Sequence, residues 1–324
     1  MFRTFSTIAL TTGAFVLSGA GFTPAQESFP SRTIRIVVGF PAGGPSDIPA
    51  RIIAEKLKVS LGQNVIVENK PGAAGQLAVT DLLSQPRDGH TLLLCSYIDP
   101  INTFLYKKVN YKLADLAPVS LVQKAFYAFA IGNDLPANNL REFIAYAKTK
   151  PGVLNYGVIG PGLVTELLAK QLEKIAGIQM TAIAHRGTGP ALQEMVAGRL
   201  DFMVGPLANT IPLYQAKRLK IVGMTSSERL AVAPEVPTLK EQGTPIVNYG
   251  WWGVCAASGV PQPVIEFLSK RVAEAVASPE FKTVIEKTGV IALSSTPAEF
   301  AKVIAETTTE AQTLIRELAI QQIE

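Results

Sequence analysis

Residues 34–47 read Ile34-Arg35-Ile36-Val37-Val38-Gly39-Phe40-Pro41-Ala42-Gly43-Gly44-Pro45-Ser46-Asp47, and an amphipathic stretch follows as far as Leu61. The apolar run is rich in β-branched residues and predicts a strand, which the Gly, Pro and Ser residues end in a turn. Asp47 is well placed as a helix N-cap, and Pro49 falls in the first helical turn, where it costs no hydrogen bond. A glycine loop that enters a helix leaves backbone N–H groups free at the positive end of the helix dipole. The stretch therefore predicts an anion site, although the same pattern also serves as a plain turn in α/β proteins.

Composition and charge restrict the class of protein. The 324 residues are 48% hydrophobic and 17% charged, which is typical of a globular chain with about two domains. The formal net charge is only +4, and no run rich in lysine or arginine occurs. We therefore expect no nucleic-acid partner, and any recognition of an anion must be local.

The first 25 residues have the pattern of a secretory signal peptide. Arg3 supplies the positive charge, residues 8–17 supply the apolar core, and Ala25 or Ala20 offers the cleavage site. No later segment reaches the ~18 uninterrupted apolar residues of a membrane helix. No cysteine lies near the cleavage region, so we expect an exported protein without a membrane anchor.

The two cysteines, Cys95 and Cys255, both lie in apolar runs that predict strands. We expect two buried free thiols, with a disulfide as the alternative in an oxidising compartment.

Predicted strands and helices alternate along the chain, which favours mainly parallel sheets flanked by helices. Ligands of such sheets collect at the carboxyl ends of the strands. Ser96 and Tyr97, which follow the apolar strand Thr91–Cys95, are therefore candidate site residues, with an exposed loop as the alternative. Residues 153–175 repeat the strand, glycine loop and helix of the opening stretch. This repeat predicts a second α/β lobe whose anion-binding end faces the first.

Residues typical of catalysis are sparse. His90 and His185 are the only histidines; His90 is predicted in an exposed turn, whereas His185 ends a strand and is a candidate ligand contact. No nucleophile elbow, metal-spaced histidine pair, Walker lysine or complete dinucleotide fingerprint occurs. We therefore predict no enzyme activity, no metal and no cofactor. Arg186 is a further candidate, because a guanidinium group binds a carboxylate through two parallel hydrogen bonds, but a loop arginine is also often simply solvated.

Several motifs occur together and in order along the mature chain. They are Phe29-Pro30-Ser31-Arg32-Thr33-Ile34 with the glycine loop, Glu68-Asn69-Lys70-Pro71-Gly72-Ala73-Ala74-Gly75, Asp88-Gly89-His90-Thr91, Arg186-Gly187-Thr188-Gly189-Pro190, and Trp252-Gly253-Val254 before Pro261-Gln262-Pro263. This set resembles the extracytoplasmic solute-binding proteins of tripartite tricarboxylate transporters, the Bug family, which includes the citrate-binding TctC type. The resemblance covers essentially the whole mature chain.

The resemblance implies the two-lobed type II periplasmic binding protein fold, or Venus flytrap, in the α/β class. Lobe 1 would comprise residues 26–124 and 250–324, and lobe 2 would comprise residues 125–249. It also implies a monomeric periplasmic protein that binds a small-molecule carboxylate between its lobes and delivers it to membrane transporter subunits.

Two loops would hold the ligand carboxylate, partly through water, according to the same resemblance. They are Phe40 to Asp47 in lobe 1 and Val158 to Thr165 in lobe 2. With the candidates above, the predicted ligand-binding residues are Phe40, Ala42, Gly43, Gly44, Ser46, Asp47, Ser96, Tyr97, Val158, Ile159, Gly160, Gly162, Thr165, His185, Arg186 and Gly205.

The lobe 2 loop departs from the family pattern, which is rich in serine and has a histidine just inside the helix. Val158, Ile159, Leu163 and Glu166 occupy those places, and only Thr165 keeps a hydroxyl group. Backbone N–H groups of the two glycines in this loop still offer donors.

Two further positions depart from the family. His185 replaces a usual tyrosine, and Gly205 replaces a frequent acid. We therefore hypothesise a carboxylate with an apolar or aromatic body, whose acid group lies on the Gly43–Asp47 segment. Asp47 itself would cap the helix and accept a hydrogen bond from a loop N–H or a bridging water, and Arg186 would bind a second carboxylate.

Two other functions fit the same fold. One is a sensor subunit that presents a bound carboxylate to a membrane signalling protein, and the other is a hydrolase or transferase. The missing nucleophile and base argue against the enzyme.

Overall fold

The computed structural model describes residues 29–159, 164–287, 289–318 and 320–323. The predicted signal peptide and the predicted contacts Gly160 and Gly162 lie outside these ranges. The described strands are β1 (Ile34–Val38), β2 (Val65–Asn69), β3 (Thr91–Ser96), β4 (Leu116–Ala125), β5 (Tyr127–Ile131), β6 (Asn155–Val158), β7 (Thr181–Ala184), β8 (Phe202–Pro206), β9 (Lys220–Met224), β10 (Gly250–Ala257) and β11 (Val290–Ala292).

The α-helices in the same ranges are α1 (Asp47–Leu61), α2 (Gln76–Leu83), α3 (Ile98–Leu105), α4 (Leu140–Lys148), α5 (Val164–Ala176), α6 (Thr188–Val196), α7 (Leu207–Gln215), α8 (Gln262–Ala277), α9 (Pro279–Glu286) and α10 (Pro297–Glu317). No helix in the described part of the chain is both long enough and apolar enough to span a membrane.

The strands form two sheets, with the orders β11-β4-β10-β3-β1-β2 and β7-β6-β8-β5-β9. In the first sheet β1 pairs in parallel with β2 and β3, whereas β10 is antiparallel to β3 and β4. In the second sheet β6 is parallel to β7 and β8, whereas β5 is antiparallel to β8 and β9. The α/β fold is as predicted, but the sheets are mixed rather than mainly parallel. β5 and β10 enter from the other sheet and not through a helical crossover, so nothing requires them to be parallel.

Each sheet is the middle layer of its own lobe. In the first lobe α1 buries Ile53 and Leu57 completely, and both pack with the sheet and with Leu268 and Val272 of α8. The predicted positions Ile52 and Leu61 are partly buried against the same cluster. In the second lobe Phe202 lies between Phe129 and Phe143, with ring centroids 5.5 Å and 5.1 Å away. Each core therefore positions its own set of loops.

The chain passes between the sheets twice. β4 ends at Ala125 and β5 begins at Tyr127, so the segment predicted as one strand-rich unit is divided between two sheets. The return path runs from Met224, at the end of β9, to Gly250, at the start of β10. These two connections join the two sheets.

Three local expectations are wrong. Cys95 and Cys255 form a disulfide, because β3 and β10 are neighbours and bring their Cα atoms to 5.9 Å, within the roughly 4.4–6.8 Å that a disulfide spans. His90 is only 5% exposed, since residues at the start of the described chain cover it: its Nε2 accepts from the Ser31 N–H at 3.1 Å. The predicted loop after Ser96 is instead the start of α3, where the Asp99 carboxylate accepts from the Ser96 N–H at 2.7 Å.

Candidate ligand-binding site

The candidate site is built from loops at the carboxyl ends of parallel strands. Gly39 to Ser46 follow β1, and Tyr97 follows β3. In the second sheet Ile159 follows β6, and His185 to Gly187 follow β7. Because neighbouring parallel strands end at the same edge of a sheet, each group of loops converges.

The first group centres on Phe40 to Ser46, here called the anchor loop, and on Asp47, the first residue of α1. Asp47 is 1% exposed. Its Oδ2 accepts from the Gly43 N–H and from Arg51 Nε, both at 2.8 Å, and its Oδ1 accepts from Asn69 Nδ2 at 2.8 Å. Asn69 also donates to the Phe40 carbonyl oxygen at 3.0 Å. Asp47 therefore fixes both ends of the loop.

The charge of Asp47 is maintained by these donors. Burial disfavours the carboxylate, but the hydrogen bonds from Arg51, Gly43 and Asn69 outweigh it and hold the pKa of Asp47 below its ordinary value. An ionised Asp47 repels any carboxylate in direct contact. A ligand acid must therefore meet the N–H groups of the loop and not this side chain, as the sequence analysis anticipated.

Two details of the loop differ from the expectation. Ser46 and not Asp47 is the N-cap of α1, and the Ser46 hydroxyl makes no hydrogen bond to the helix backbone. The Gly43 N–H is already taken by Asp47, so it is not available to a ligand. Among described residues the N–H groups of Ala42, Gly44 and Ser46 have no acceptor, which leaves them as free donors in the loop.

Two side chains that the sequence did not single out hold the anchor loop from the antiparallel half of the sheet. Trp252 of β10 donates from Nε1 to Ser46 Oγ at 2.8 Å. Gln123 of β4, which pairs with Trp252 across the two strands, donates from Nε2 to the Pro45 carbonyl oxygen at 3.2 Å. Trp252 belonged to a motif of the family resemblance, but no sequence spacing linked it to Ser46. No sequence pattern identified Gln123 as a residue near the site.

Ser96 and Tyr97 have different environments. Ser96 is 1% exposed, and its Oγ accepts from the Ile98 N–H at 3.3 Å, so it serves the start of α3. Tyr97 packs against the core cluster that contains Tyr127, the first residue of β5, and burial raises the pKa of Tyr97. The Tyr97 ring also meets the Trp252 ring edge-on, with centroids 5.8 Å apart. Tyr97 thus connects the anchor loop region to the second lobe.

The described residues of the second group are mostly apolar. Val158 is buried, Ile159 is partly buried, and Thr165 is 4% exposed. The Thr165 hydroxyl has no hydrogen-bond partner in the described part of the chain. A buried hydroxyl without a partner costs stability, so its position invites a ligand atom or a water.

His185 and Arg186 lie at the end of the edge strand β7. The His185 N–H donates to the Val158 carbonyl oxygen at 2.8 Å, which joins the β6 and β7 loops, while His185 Nδ1 lies 2.8 Å from the Ile183 carbonyl oxygen. Arg186 is exposed and forms no ion pair with another described residue. The structure therefore places Arg186 at the outer side of the group and not at its centre.

Gly205 has a packing role. A Cβ atom at this position would lie 2.8 Å from Thr210 Cγ2 of α7 and 3.4 Å from Met203 Cε. The helix α7, which the sequence analysis did not predict, approaches too closely for a larger residue. An acid does not fit here, so the change from the family pattern follows from packing as well as from pocket chemistry.

The described part of the site offers hydrogen-bond donors. Within the described ranges, no group of three His, Cys, Asp or Glu side chains is arranged to hold a metal ion. Nor are the hydroxyl groups of Ser46, Ser96 or Thr165 hydrogen-bonded to a histidine or carboxylate side chain within those ranges. The arrangement can bind an anion reversibly.

Comparison with known proteins agrees with this geometry. Residues 49–320 match the family model described as the tripartite tricarboxylate transporter family receptor, TctC. A UPF0065 protein of Pseudomonas sp., from the tcbD–tcbE intergenic region, is 32% identical over 294 residues, covering 90% of this chain and 88% of that protein. BugT of Bordetella pertussis is 29% identical over 299 residues, covering 91% of this chain and 92% of BugT.

Two solved structures are also similar. MatC from Rhodopseudomonas palustris, solved with bound malate, has a TM-score of 0.71 at 29% identity, covering 89% of this chain and 100% of MatC. An R. palustris protein solved with adipate has a TM-score of 0.76 at 25% identity, covering 91% of this chain and 100% of its own. The chain therefore belongs to the TctC receptor family of tripartite tricarboxylate transporters, whose members are two-lobed solute-binding proteins and not enzymes.

Proposed function

We propose that this protein captures a small organic carboxylate with an apolar or aromatic body between its two lobes in the periplasm. It then delivers the acid to a membrane transporter of the tripartite tricarboxylate type. We assign residues 26–124 and 250–324 to the first lobe and residues 125–249 to the second, because the chain changes sheets at Ala125–Tyr127 and between Met224 and Gly250.

The set of donors in the anchor loop carries this proposal. The Gly44 and Ser46 N–H groups and the Ser46 hydroxyl proton have no acceptor among the described residues, and they lie at the N-terminus of α1. Several free donors at the positive end of a helix favour a carboxylate. Asp47 cannot take a ligand donor easily, because its oxygens already accept from Gly43, Arg51 and Asn69. The loop thus prefers an acid to an amine.

The second lobe supports an apolar ligand body. Val158 is a core residue and Ile159 is a partly buried aliphatic side chain, so the described part of this loop offers few polar partners, and Thr165 is the one hydroxyl among the predicted residues of the second lobe. The solved relatives that hold adipate and malate indicate that small carboxylates suit this fold. Arg186, exposed at the end of β7, is available to a second carboxylate that extends outward.

Delivery requires that the ligand favours the closed arrangement of the lobes. A ligand shifts this equilibrium only by its differential affinity for the two states. Contacts from both lobes to one ligand provide such a difference, and the transporter then recognises the closed form.

A thermal-shift panel tests the ligand class. Each acid is paired with its amide: benzoate with benzamide, hexanoate with hexanamide, and adipate with adipamide, with malate and citrate added. Saturation at 100 times Kd contributes about 2.7 kcal/mol, a shift of several degrees, and we expect it for the acids alone. Stabilisation by citrate only would contradict the apolar ligand body. Stabilisation by none of the acids would contradict the proposed function.

Delivery has a separate test. Deletion of the gene should abolish uptake of the stabilising acid, and the purified protein should crosslink to transporter subunits only with that acid present. Acid-dependent crosslinking to a membrane kinase instead would assign the protein to sensing.

A further inference from the structure

Two tryptophans, Trp251 and Trp252, are adjacent in β10, and their side chains lie on opposite faces of the sheet. Trp252 packs with the core under α1, whereas Trp251 packs with the core under α10. Each indole N–H donates to a hydroxyl group at 2.8 Å, Trp252 to Ser46 and Trp251 to Thr307. The two residues therefore form a natural comparison.

The two hydroxyl groups differ in where their own protons go. Thr307 Oγ1 donates to the Val303 carbonyl oxygen at 2.9 Å, so the hydroxyl proton of Thr307 already has an acceptor within the protein. Ser46 is 4% exposed, caps no N–H of α1, and has no acceptor for its proton among the described residues. A serine hydroxyl has one proton and two lone pairs, so the hydrogen bond from Trp252 leaves the proton free for an acceptor outside the protein.

The indole itself is held in place. Its ring meets Tyr97 edge-on, with centroids 5.8 Å apart and an interplanar angle of 85°. Tyr97 also packs against the core of the second sheet, and Gly250 is so close that a Cβ atom there would lie 2.9 Å from the Tyr97 ring, so the ring has little room to move. Gln123 holds the preceding residue of the anchor loop through the Pro45 carbonyl oxygen. A fixed donor on a fixed loop sets the rotation of the Ser46 hydroxyl.

We propose that Trp252 is a positioning residue for ligand specificity, which turns the Ser46 hydroxyl proton towards the bound carboxylate. This inference rests on the proposed function and deepens it. Trp252 does not contact the ligand; it occupies the acceptor side of Ser46, so that a ligand donor such as an amine or amide N–H finds less to bind. Selection of an acid over its amide then depends on a residue 206 positions away from Ser46.

The test uses Trp252→Phe and Ser46→Ala, alone and together, with Trp251→Phe as the matched control. Calorimetry with adipate and benzoate, and with their amides, measures the affinities. We expect each of the first two variants to weaken acid binding about five- to tenfold, as the loss of an oriented bond to a charged group does. Their combination should be no more than about twofold worse than either alone, because they act through one hydroxyl.

Selectivity gives a readout that general destabilisation would not move. The ratio of acid to amide affinity should fall in Trp252→Phe, whereas Trp251→Phe should keep it even where its melting temperature drops. The two indole N–H resonances in a ¹⁵N spectrum, assigned with the two Phe variants, add a second measurement. Acid should shift the Trp252 resonance and leave that of Trp251 unmoved.

The outcomes separate the inference from the proposed function. Acid binding in the wild type, with equal affinities in Trp252→Phe and Trp251→Phe or with additive losses in the double variant, overturns the role of Trp252 only. Failure of both acids to bind the wild type overturns the proposed function and this inference with it.

Discussion

The anchor loop of the first lobe and the loop after β6 in the second lobe differ in how their polar groups are used. In the first, Asp47 alone accepts three hydrogen bonds, from Gly43, Arg51 and Asn69. In the second, Val158 belongs to the core, Ile159 is a partly buried aliphatic side chain, and the buried Thr165 hydroxyl has no partner in the described part of the chain. We expect the anchor loop, which Asp47 holds in place and which keeps free N–H donors, to bind the constant acid group of the ligand, and the more apolar second loop to meet the part that varies.

Loss of the Asp47 carboxylate should have the largest effect. Asp47→Asn places an amide group among three donors, so the loop loses at least one hydrogen bond, and the bonds that remain lose their charged acceptor; a hydrogen bond to a charged group is worth about 1.5–3 kcal/mol. We expect acid affinity to fall about 100-fold and the free energy of unfolding to fall by about 2–4 kcal/mol, measured by calorimetry and urea denaturation. Asp88→Asn, in an exposed pair with Arg32 at the other end of the sheet, should change affinity less than twofold.

Low pH should reproduce part of the loss of stability caused by Asp47→Asn, because it protonates the same carboxylate. The pKa of Asp47 is below its ordinary value of 3.8 in the folded protein, so its contribution is present above that value and is lost as pH falls below it. Stability curves of the wild type and Asp47→Asn should therefore converge only below about pH 4. Convergence near pH 6 would contradict an ionised, well-bonded Asp47.

Polar substitution in the second lobe should move ligand preference. Ile159→Ser restores the hydroxyl typical of the family and removes apolar area, so we expect benzoate and hexanoate to bind about tenfold more weakly. Malate and citrate should bind equally or better. Val153→Ser, which is 64% exposed and precedes β6, is the control. Equal losses for apolar and polar acids would show that the lobe does not select the ligand body.

Arg186 should matter only for ligands with two acid groups. Arg186→Ala should weaken adipate about three- to fivefold and leave hexanoate unchanged, because an exposed ion pair contributes about 0.2–1 kcal/mol and is screened by salt. The difference should shrink in 0.5 M salt. Arg141→Ala, on the exposed face of α4, should affect neither acid. Equal losses for both acids would exclude a role in binding the second carboxylate.

The smallest effect should come from Thr165→Val. Its hydroxyl has no partner in the described chain, so the isosteric change should leave the free protein equally stable or stabilise it by up to about 1 kcal/mol. Acid affinity should fall two- to threefold, measured by calorimetry. Thr225→Val is the matched control, because its buried Oγ1 accepts from the Tyr127 N–H at 3.0 Å and its loss should destabilise the protein. Destabilisation by Thr165→Val would indicate a structural partner instead.

Much of the architecture was predictable because it depends on neighbouring residues. The pattern from Ile34 to Leu61 predicted β1, the loop and α1, and the repeat at 153–175 predicted β6 and α5. The prediction failed where apolar runs were short or where Pro and Ser suggested a loop. Thus α3 and α7 were missed, since Pro100 and Pro212 fall inside helices whose other residues pack well.

The chemistry of the site was only partly predictable, because sequence patterns report on neighbouring residues and not on contacts between distant ones. The anchor loop was identified correctly as a donor-rich segment, and the role of Asp47 as an acceptor from a loop N–H is confirmed by its bond to Gly43. The predictions that Asp47 is the N-cap and that the Gly43 N–H is free for a ligand were wrong, because both depend on the side-chain rotamer of Asp47. The ligand contacts of all the predicted site residues stay predictions.

The sequence by itself determined the two α/β lobes, the position of the anchor loop and the family, because each rests on residues close together in the chain or on a series of motifs in order. The tertiary structure alone decided which distant residues meet. Cys95 and Cys255 are joined across 160 positions, and Trp252 reaches Ser46 across 206. Both contacts exist because β10 returns from the second lobe into the first sheet beside β3, and no local pattern specifies that neighbour.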